Sequence, residues 1–291
     1  QLRGEYLFAA EGANGLRVYD VASVANKGVS QRIIDAPFSK LGHDPQLRTA
    51  DASCVALPSN QPINPARNDG ELMRVTNLEQ PFHPIYNYAL VTDRREGLVL
   101  TNINTFADGD LNNNFLERAL TWNPDGILDG ARHVTLGGHF AYIIASSGLV
   151  VVDLDQPLQP VLAATLPLRD ARASALQFRY LFVSDADGFG VVDVTDPYAP
   201  RHLDDAGVAL NDAQRIYVAR TYAYVAAGSD GFAIIDVATP GAPQLYQLFN
   251  AGGALRDTRD VVVGSTNASL FAYVADGVGG LKVLQLTSPD S

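Results

Sequence analysis

The chain has 291 residues, 47% of them hydrophobic and 18% charged, with a formal net charge of −11 and a sequence pI near 4.8. This composition can bury a core, and it argues against intrinsic disorder. The negative charge repels phosphate backbones and anionic lipid, so nucleic acid is excluded as a partner. No apolar run reaches the roughly 20 residues needed to cross a bilayer, which argues against direct membrane insertion.

A glycine followed by an apolar run recurs along the whole chain. The glycines, in chain order, are Gly15, Gly97, Gly148, Gly188, Gly231 and Gly280. Each run ends five positions later on a polar residue, and an apolar residue follows. The polar residues are Asp20, Asn102, Asp153, Asp193, Asp236 and Gln285. Self-similarity at a period of roughly 40–50 residues is typical of repeat architectures.

The neighbours of each copy predict three further strands. Upstream of Gly188 the sequence RYLFVSD alternates aromatic residues with others, and TYAYVAAG does the same upstream of Gly231. Such alternation with aromatic enrichment indicates a half-buried strand. Prolines at fixed offsets downstream, such as Pro197 and Pro200, mark the turn into an edge strand. A fourth strand, such as LRDARASALQF from Leu168, precedes the aromatic one.

Four-stranded units that repeat at this period make a β-propeller. The sequence therefore predicts an all-β fold, a single β-propeller domain over residues 1–291 with six blades of four-stranded antiparallel sheets; seven blades are the alternative. Two loop insertions are predicted on one face, at about residues 28–82 and 105–130. A decayed seventh blade is the alternative for the first insertion. Within the second, FLERALTW is predicted to form a short helix.

The copy GLVVVD at Gly148–Asp153 closely resembles the LVIVD repeat of bacterial surface and exported proteins. The resemblance is dense over residues 132–286 and looser over residues 1–21 and 83–103. It implies a propeller that is extracellular, on the cell surface or periplasmic, and often a segment of a longer polypeptide. The first residue, Gln1 rather than Met, fits that expectation, as do end blades that each lack one strand. The resemblance implies no catalytic residues.

One stretch carries oxygen ligands at alternate positions. Asp108, Asp110, Asn112 and Asn114 suit calcium, which takes six to eight oxygens. The alternative is a polar turn with local Asx hydrogen bonds, which favour the same residue types. Calcium is the one cofactor considered, and no other is expected.

Acidic and basic residues recur where the first strand of a blade begins. They are Arg132, Asp170, Arg172, Asp212, Arg215, Asp257 and Arg259. They are predicted to form a ring near one mouth of the propeller channel. The ring could bind an anion through its arginines. Alternatively, each carboxylate neutralises an arginine, and repetition in several blades favours this structural interpretation.

Few other residues suggest chemistry. His43 and His83 lie in or beside the first insertion and could meet in space, although isolated loop histidines are the alternative. Cys54 is the single cysteine, which excludes an internal disulfide, and a buried free thiol is predicted. The repeated polar residues are predicted to accept backbone N–H groups of the following turn, so that alanine at Asp153, Asp193 or Asp236 destabilises the fold.

Two functions of different classes fit this sequence. The first is a non-catalytic scaffold that binds a protein partner, or other domains of its own polypeptide, through the insertion face. The second is a supporting domain of a redox assembly of the multihaem cytochrome type or another surface enzyme, or a propeller lyase or hydrolase that uses His83, His133 and the charged ring. Paired charges with an exposed apolar patch on the insertions favour the scaffold, and unmatched acids, bases or metal ligands favour the enzyme.

Overall fold

The computed structural model describes residues 1–21, 34–35, 44–110, 112–265 and 269–286, with backbone alone for residues 34–35. Contacts divide the chain into two compact units, residues 1–146 with 150–163 and residues 147–149 with 164–291. The expectation of one domain over the whole chain stays a prediction.

The described secondary structure consists of short strands and single helical turns. The strands of the first three sheets are β1 (Leu2–Arg3), β2 (Tyr6–Ala10), β3 (Leu16–Asp20), β4 (Ile34–Asp35), β5 (Gln46–Leu47), β6 (Ala52–Ala56), β7 (Tyr88–Asp93), β8 (Gly97–Asn102), β9 (Glu117–Trp122), β10 (His133–Gly137), β11 (Phe140–Ala145), β12 (Gly148–Asp153) and β13 (Val161–Leu166). The strands of the last three sheets are β14 (Ala173–Gln177), β15 (Tyr180–Ser184), β16 (Gly188–Asp193), β17 (Arg201–Ala209), β18 (Ile216–Ala219), β19 (Tyr222–Ala226), β20 (Phe232–Asp236), β21 (Gln244–Phe249), β22 (Thr258–Ser265), β23 (Leu270–Asp276) and β24 (Gly280–Gln285). The helical turns are Pro65–Asn68, Leu72–Thr76, Pro84–Asn87, Asn104–Phe106, Pro124–Gly126 and Ala251–Gly253. None of these described turns is long and apolar enough to cross a membrane.

The strands form six antiparallel sheets, which we number as blades 1 to 6 in chain order. Blade 1 contains β1–β5, blades 2 to 5 contain four consecutive strands each, and blade 6 contains β22–β24. The predicted fold class, an all-β propeller with six blades, is confirmed. The third strand of each blade begins at the glycine of the sequence repeat or directly after it.

One backbone hydrogen bond recurs in all six blades. The apolar residue after the repeated polar position donates its N–H to the carbonyl of a residue at the start of the second strand, or just before it. The six donor and acceptor pairs, at 2.8 or 2.9 Å, are Val21–Glu5, Ile103–Asn87, Leu154–His139, Val194–Arg179, Val237–Thr221 and Leu286–Leu270. The sequence repeat therefore corresponds to the same hydrogen-bonded register between the second and third strands of each blade.

The core of each unit lies between the faces of neighbouring blades. In the first unit Phe8 and Val18 of blade 1 share a buried cluster with Val91 of blade 2. In the second unit blades 4 and 5 share a cluster, and so do blades 5 and 6. Burial on both faces explains why the glycine runs are continuously apolar rather than alternating.

Three sequence predictions need correction. FLERALTW does not form a helix, because Glu117–Trp122 is β9, the outer strand of blade 2. The interval 28–82 is not one loop, because β5 pairs with β3 and β6 opens blade 2. Blade 1 does not lack its first strand, because β1 pairs with β2. In each case a short strand covers an edge whose backbone groups would otherwise lack partners.

The last blade agrees with the sequence. Blade 6 has no outer strand among the described residues, whereas blades 2 to 5 each have one. One edge of β24 is therefore unpaired in the described part of the chain.

Candidate functional site

The longest described connection between strands runs from residue 57 to residue 87, between β6 and β7, and we call it the 57–87 segment. Its turns are held by bonds within the segment. The Arg74 N–H donates to the Gly70 carbonyl at 3.0 Å, and the Asn77 N–H donates to the Leu72 carbonyl at 2.9 Å. The buried Asn68 side chain donates to the Gln80 carbonyl at 2.6 Å and closes the segment on itself.

Four apolar side chains of this segment point into solvent. Their exposed fractions are 61% for Leu72, 65% for Val75, 75% for Leu78 and 38% for Phe82. We call these four residues the apolar patch. Leu78 has a φ of 54°, in a left-handed region that costs a branched residue roughly 1–2 kcal/mol. Local backbone bonds thus hold large apolar groups outward, an arrangement that marks interaction surfaces.

Arg3 fixes the base of the 57–87 segment to blade 1. The Arg3 Nη2 donates to the carbonyls of Ile63 at 2.6 Å and Tyr86 at 3.3 Å, and its Nε donates to the Gln61 carbonyl at 3.2 Å. The side chain is only 2% exposed, and burial lowers its pKa to about 10. Because that pKa lies well above neutrality, the guanidinium stays charged and ties both ends of the segment to β1.

His83 contacts a histidine that the sequence analysis did not single out. His83 caps the turn Pro84–Asn87, and its ring stacks on His139, with centroids 5.7 Å apart and planes 16° apart. His43, the predicted neighbour of His83, lies outside the described residues. His133 opens β10 and is half-buried. His139, in the turn before β11, was missed because nothing in its sequence context distinguishes it from a loop histidine.

The charged residues of blades 4 and 5 contact one another. Arg172 bonds to Asp170 of its own blade at 3.1 Å and to Asp212 of blade 5. It also donates to the Ala213 carbonyl at 3.0 Å. Arg172 therefore joins two neighbouring blades of the second unit.

The remaining members of the predicted ring occupy equivalent strand starts. Arg259 pairs with Asp257 at the beginning of β22. The Arg132 N–H donates to the Ile144 carbonyl at 2.8 Å, and the Arg215 carbonyl accepts from the Ala226 N–H at 3.0 Å. These bonds of Arg132 and Arg215 are made by their backbone groups, so among these contacts only that of Arg259 with Asp257 is a pair of charges. The charged ring stays a prediction.

The predicted calcium ligands make Asx-type hydrogen bonds. Asp108 Oδ1 accepts the Asp110 N–H at 2.8 Å, and Asp110 Oδ1 accepts the Asn112 N–H at 2.9 Å. Asn114 is buried, and its amide donates to the Tyr6 hydroxyl at 2.9 Å. Calcium binding here stays a prediction, and the geometry resembles the turn alternative.

The repeated polar residues accept N–H groups from the turns that follow them. Asp153 accepts from Asp155 at 2.8 Å, Asp193 from Thr195 at 2.9 Å, and Asp236 from Ala238 at 2.8 Å. Asn102 accepts from the Asn104 N–H in the same way at 3.0 Å. Gln285 instead donates to the Ser269 hydroxyl at 3.3 Å. Asp20 ends β3, and the residue two positions after it is not described.

We expect Asp193→Ala to lower the free energy of unfolding by about 1–2 kcal/mol. The hydroxyl and backbone N–H of Thr195 hold the pKa of Asp193 below its usual value. Its contribution is therefore present at neutral pH and fades as the pH falls below about 4. Asp193→Asn keeps an acceptor oxygen and should lose less. Urea denaturation at neutral pH measures both, and unchanged stability of the alanine variants at Asp153, Asp193 and Asp236 would contradict this.

The described part of each unit contains a cavity. One of about 350 Å³ is lined by Arg3, Tyr6 and Phe106 in the first unit. The other, of about 700 Å³, lies in the second unit and is lined by Tyr217, Tyr222, Tyr224 and Tyr246 with Arg220. The described lining of the larger cavity includes no carboxylate, histidine or cysteine.

The blades and their repeated register define the chain as a six-bladed β-propeller. Residues 130–166 and 211–250 match the family model of the LVIVD repeat. The chain is therefore a β-propeller with LVIVD repeats. No curated protein matches the chain.

Solved structures of low sequence identity share the fold. A putative 6-phosphogluconolactonase from Bacteroides uniformis is 10% identical, with a TM-score of 0.61 over 95% of this chain and 79% of that one. A second, from Bacteroides fragilis, is 18% identical, with a TM-score of 0.54 over 85% of this chain and 68% of that one. A computationally designed protein is 11% identical, with a TM-score of 0.55 over 98% and 82%. At such identities the likeness concerns the fold alone.

Proposed function

We propose that this chain is a non-catalytic propeller that serves as a protein-interaction and scaffold module through the apolar patch of the 57–87 segment. The observation that carries the proposal is the patch itself. Leu72, Val75, Leu78 and Phe82 are exposed on one connection, and docking that covers these side chains would remove apolar area from water.

The bonds that hold the 57–87 segment in place favour docking through the apolar patch. The segment closes on itself through Asn68, and Arg3 anchors its two ends. A surface that is ordered before it binds loses less conformational entropy on association. Rigid support of this kind is what a scaffold provides.

The partner we propose is a protein with an apolar surface bordered by lysine or arginine. The segment carries Glu71 and Glu79 beside the patch, while Asp69 pairs with Arg74 of the same segment at 3.8 Å. The whole chain has a net charge of −11. Basic groups around the apolar surface of the partner would complement the negative charge of this chain and speed association. Such a partner could be a separate protein or another domain of the same polypeptide.

The charges and the proposed location fit a scaffold. The carboxylates Asp170, Asp212 and Asp257 engage arginines, as expected of structural rather than catalytic groups. We propose an extracellular, cell-surface or periplasmic location, which rests on the resemblance to the LVIVD repeat of exported proteins.

The test compares variants of the chain expressed in its source cells. We expect Leu72→Asp with Val75→Asp to reduce recovery of the co-purifying partner by at least about tenfold, because two charges would have to be buried on docking. Both sites are exposed, so the thermal melting curve should not change.

The matched control places aspartates at Leu158 and Val161, which are 51% and 56% exposed outside the segment. This control should retain the partner at the wild-type level. Full recovery with the Leu72/Val75 variant, or equal losses in both, would contradict docking through the patch.

A further inference from the structure

Three side chains from separate parts of the first unit meet beside the base of the 57–87 segment. His83 comes from that segment, His139 from the turn between β10 and β11, and Asp155 from the turn after β12. One donor atom of each lies within 4.8 Å of the others. The two histidines are half-buried and Asp155 is exposed, so a solvated ion can reach them.

The donor set suits a borderline transition metal. Tetrahedral zinc with bonds of about 2.0–2.2 Å places its ligand atoms roughly 3.3–3.6 Å apart. His83 Nε2 and Asp155 Oδ1 are already 3.6 Å apart. Because the donor atoms lie no more than 4.8 Å apart, the longest distance between two of them must shorten by at most about 1.5 Å. Half-exposed side chains can accommodate such a change through rotamer changes.

The local charge also favours a dication. Asp153 Oδ1 lies 3.7 Å from His139 Nε2, so two carboxylates flank two imidazoles that are neutral when they act as ligands. A divalent cation balances that charge at short range. Two imidazole nitrogens and a carboxylate oxygen favour zinc and the other divalent transition metals over calcium or magnesium, which prefer oxygen ligands alone.

We infer that His83, His139 and Asp155 bind one divalent transition-metal ion of the zinc type, with the remaining coordination open to solvent. The ion would join the 57–87 segment to blade 3 within the first unit. Its role would be to stabilise the position of the segment. The inference does not depend on the proposed docking function.

The proton on His83 must move when the metal binds. In the metal-free ring Nδ1 accepts the Ile85 N–H at 3.1 Å, which places the proton of the neutral ring on Nε2. Coordination through Nε2 transfers that proton to Nδ1, so the imidazole stays neutral and the cap to Ile85 is released. Loss of one ordinary hydrogen bond should reduce the affinity by about tenfold relative to a preformed site, without preventing binding.

The test uses tag-free protein that has been stripped of metal with a chelator. Zinc titration by calorimetry should show one equivalent bound, and cobalt should give the visible absorption of tetrahedral coordination. His139→Ala and Asp155→Asn should each weaken zinc binding by at least about 100-fold, because loss of even an outer-shell partner costs 10–100-fold. His83→Asn should do the same while its side-chain oxygen keeps the cap to Ile85.

His202→Ala is the matched control. His202 Nδ1 lies 3.0 Å from Asp204 Oδ1 on β17. Among the described residues this pair belongs to no group of three such ligands. This variant should bind zinc as the wild type does. Circular dichroism of the metal-free variants checks that they are folded. Absence of zinc binding by the wild type, or unchanged binding in the His139 and Asp155 variants, would overturn the inference.

Discussion

Replacing Gly188 with alanine should lower the free energy of unfolding by about 3–5 kcal/mol. Gly188 has a φ of 135°, which an L side chain rarely adopts, and an added Cβ would lie 2.3 Å from the Val208 carbonyl oxygen and 2.5 Å from the Leu210 nitrogen. Both atoms belong to the backbone at the end of β17 or just after it. The outer strand cannot move away without breaking its pairing with β16, so strain and overlap add.

The equivalent glycine of blade 6 is the matched control. Gly280 has a φ of 72°, and an added Cβ would meet no atom of the described residues within 4 Å. Gly280→Ala should therefore cost only about 1–2 kcal/mol, the strain of positive φ alone. Urea denaturation of both variants measures the difference. Equal losses of stability would mean that a chain segment lies against Gly280 as the end of β17 lies against Gly188.

Tyr224→Ala is expected to cost about 3–5 kcal/mol, the range for truncating a large buried aromatic residue. Tyr224 is 4% exposed, stacks on Phe232 with centroids 6.0 Å apart, and packs against Val261 and Val263 of blade 6. Removal of the ring leaves a cavity between the sheets of blades 5 and 6. The strands of each sheet are already hydrogen-bonded to one another. The same denaturation experiment measures the loss.

Tyr273 occupies the corresponding place in blade 6 and provides the control. The position recurs at the middle of the second strand of every blade. Its six residues are 1% exposed at Phe8, 0% at Leu90, 3% at Tyr142, 0% at Phe182, 4% at Tyr224 and 42% at Tyr273. Tyr273→Ala should cost less than about 1 kcal/mol. A loss equal to that of Tyr224→Ala would show that this face is covered in solution.

The repeat was predictable because one geometric constraint recurs. At Gly148, Gly188 and Gly231 an added Cβ would lie within 2.5 Å of backbone at the end of an outer strand. Glycine is therefore required where the third strand of a blade begins beside the end of the outer strand. The apolar run after this glycine is buried on both faces. These causes act within a few residues, so they leave a pattern in the sequence from which the blades could be identified.

The missed strands lack such a cause. The side chains of β9 alternate between exposed and half-buried, but none of them is buried. β5 has only two residues, and β6 contains Cys54 among small residues. Each forms because a neighbouring strand offers an unpaired edge, which is a tertiary effect. Local sequence could not reveal it, and FLERALTW was therefore predicted as a helix.

The candidate site was predictable only in outline. An irregular insertion over about residues 28–82 was expected, but the contacts that organise its later part are distant in sequence. Arg3 reaches Ile63 and Tyr86, and His83 meets His139 and Asp155. None of these pairs has a characteristic spacing, so they appear only in three dimensions.

Hydrogen–deuterium exchange of the chain in its native assembly tests the docking proposal most directly. The same measurement on the isolated chain is the reference. We predict that the amides of residues 70–82 exchange more slowly in the assembly than in the isolated chain, since a bound partner would cover the patch at Leu72, Val75, Leu78 and Phe82. Unchanged exchange there, with protection confined to other surfaces such as the β24 edge, would contradict docking through the patch.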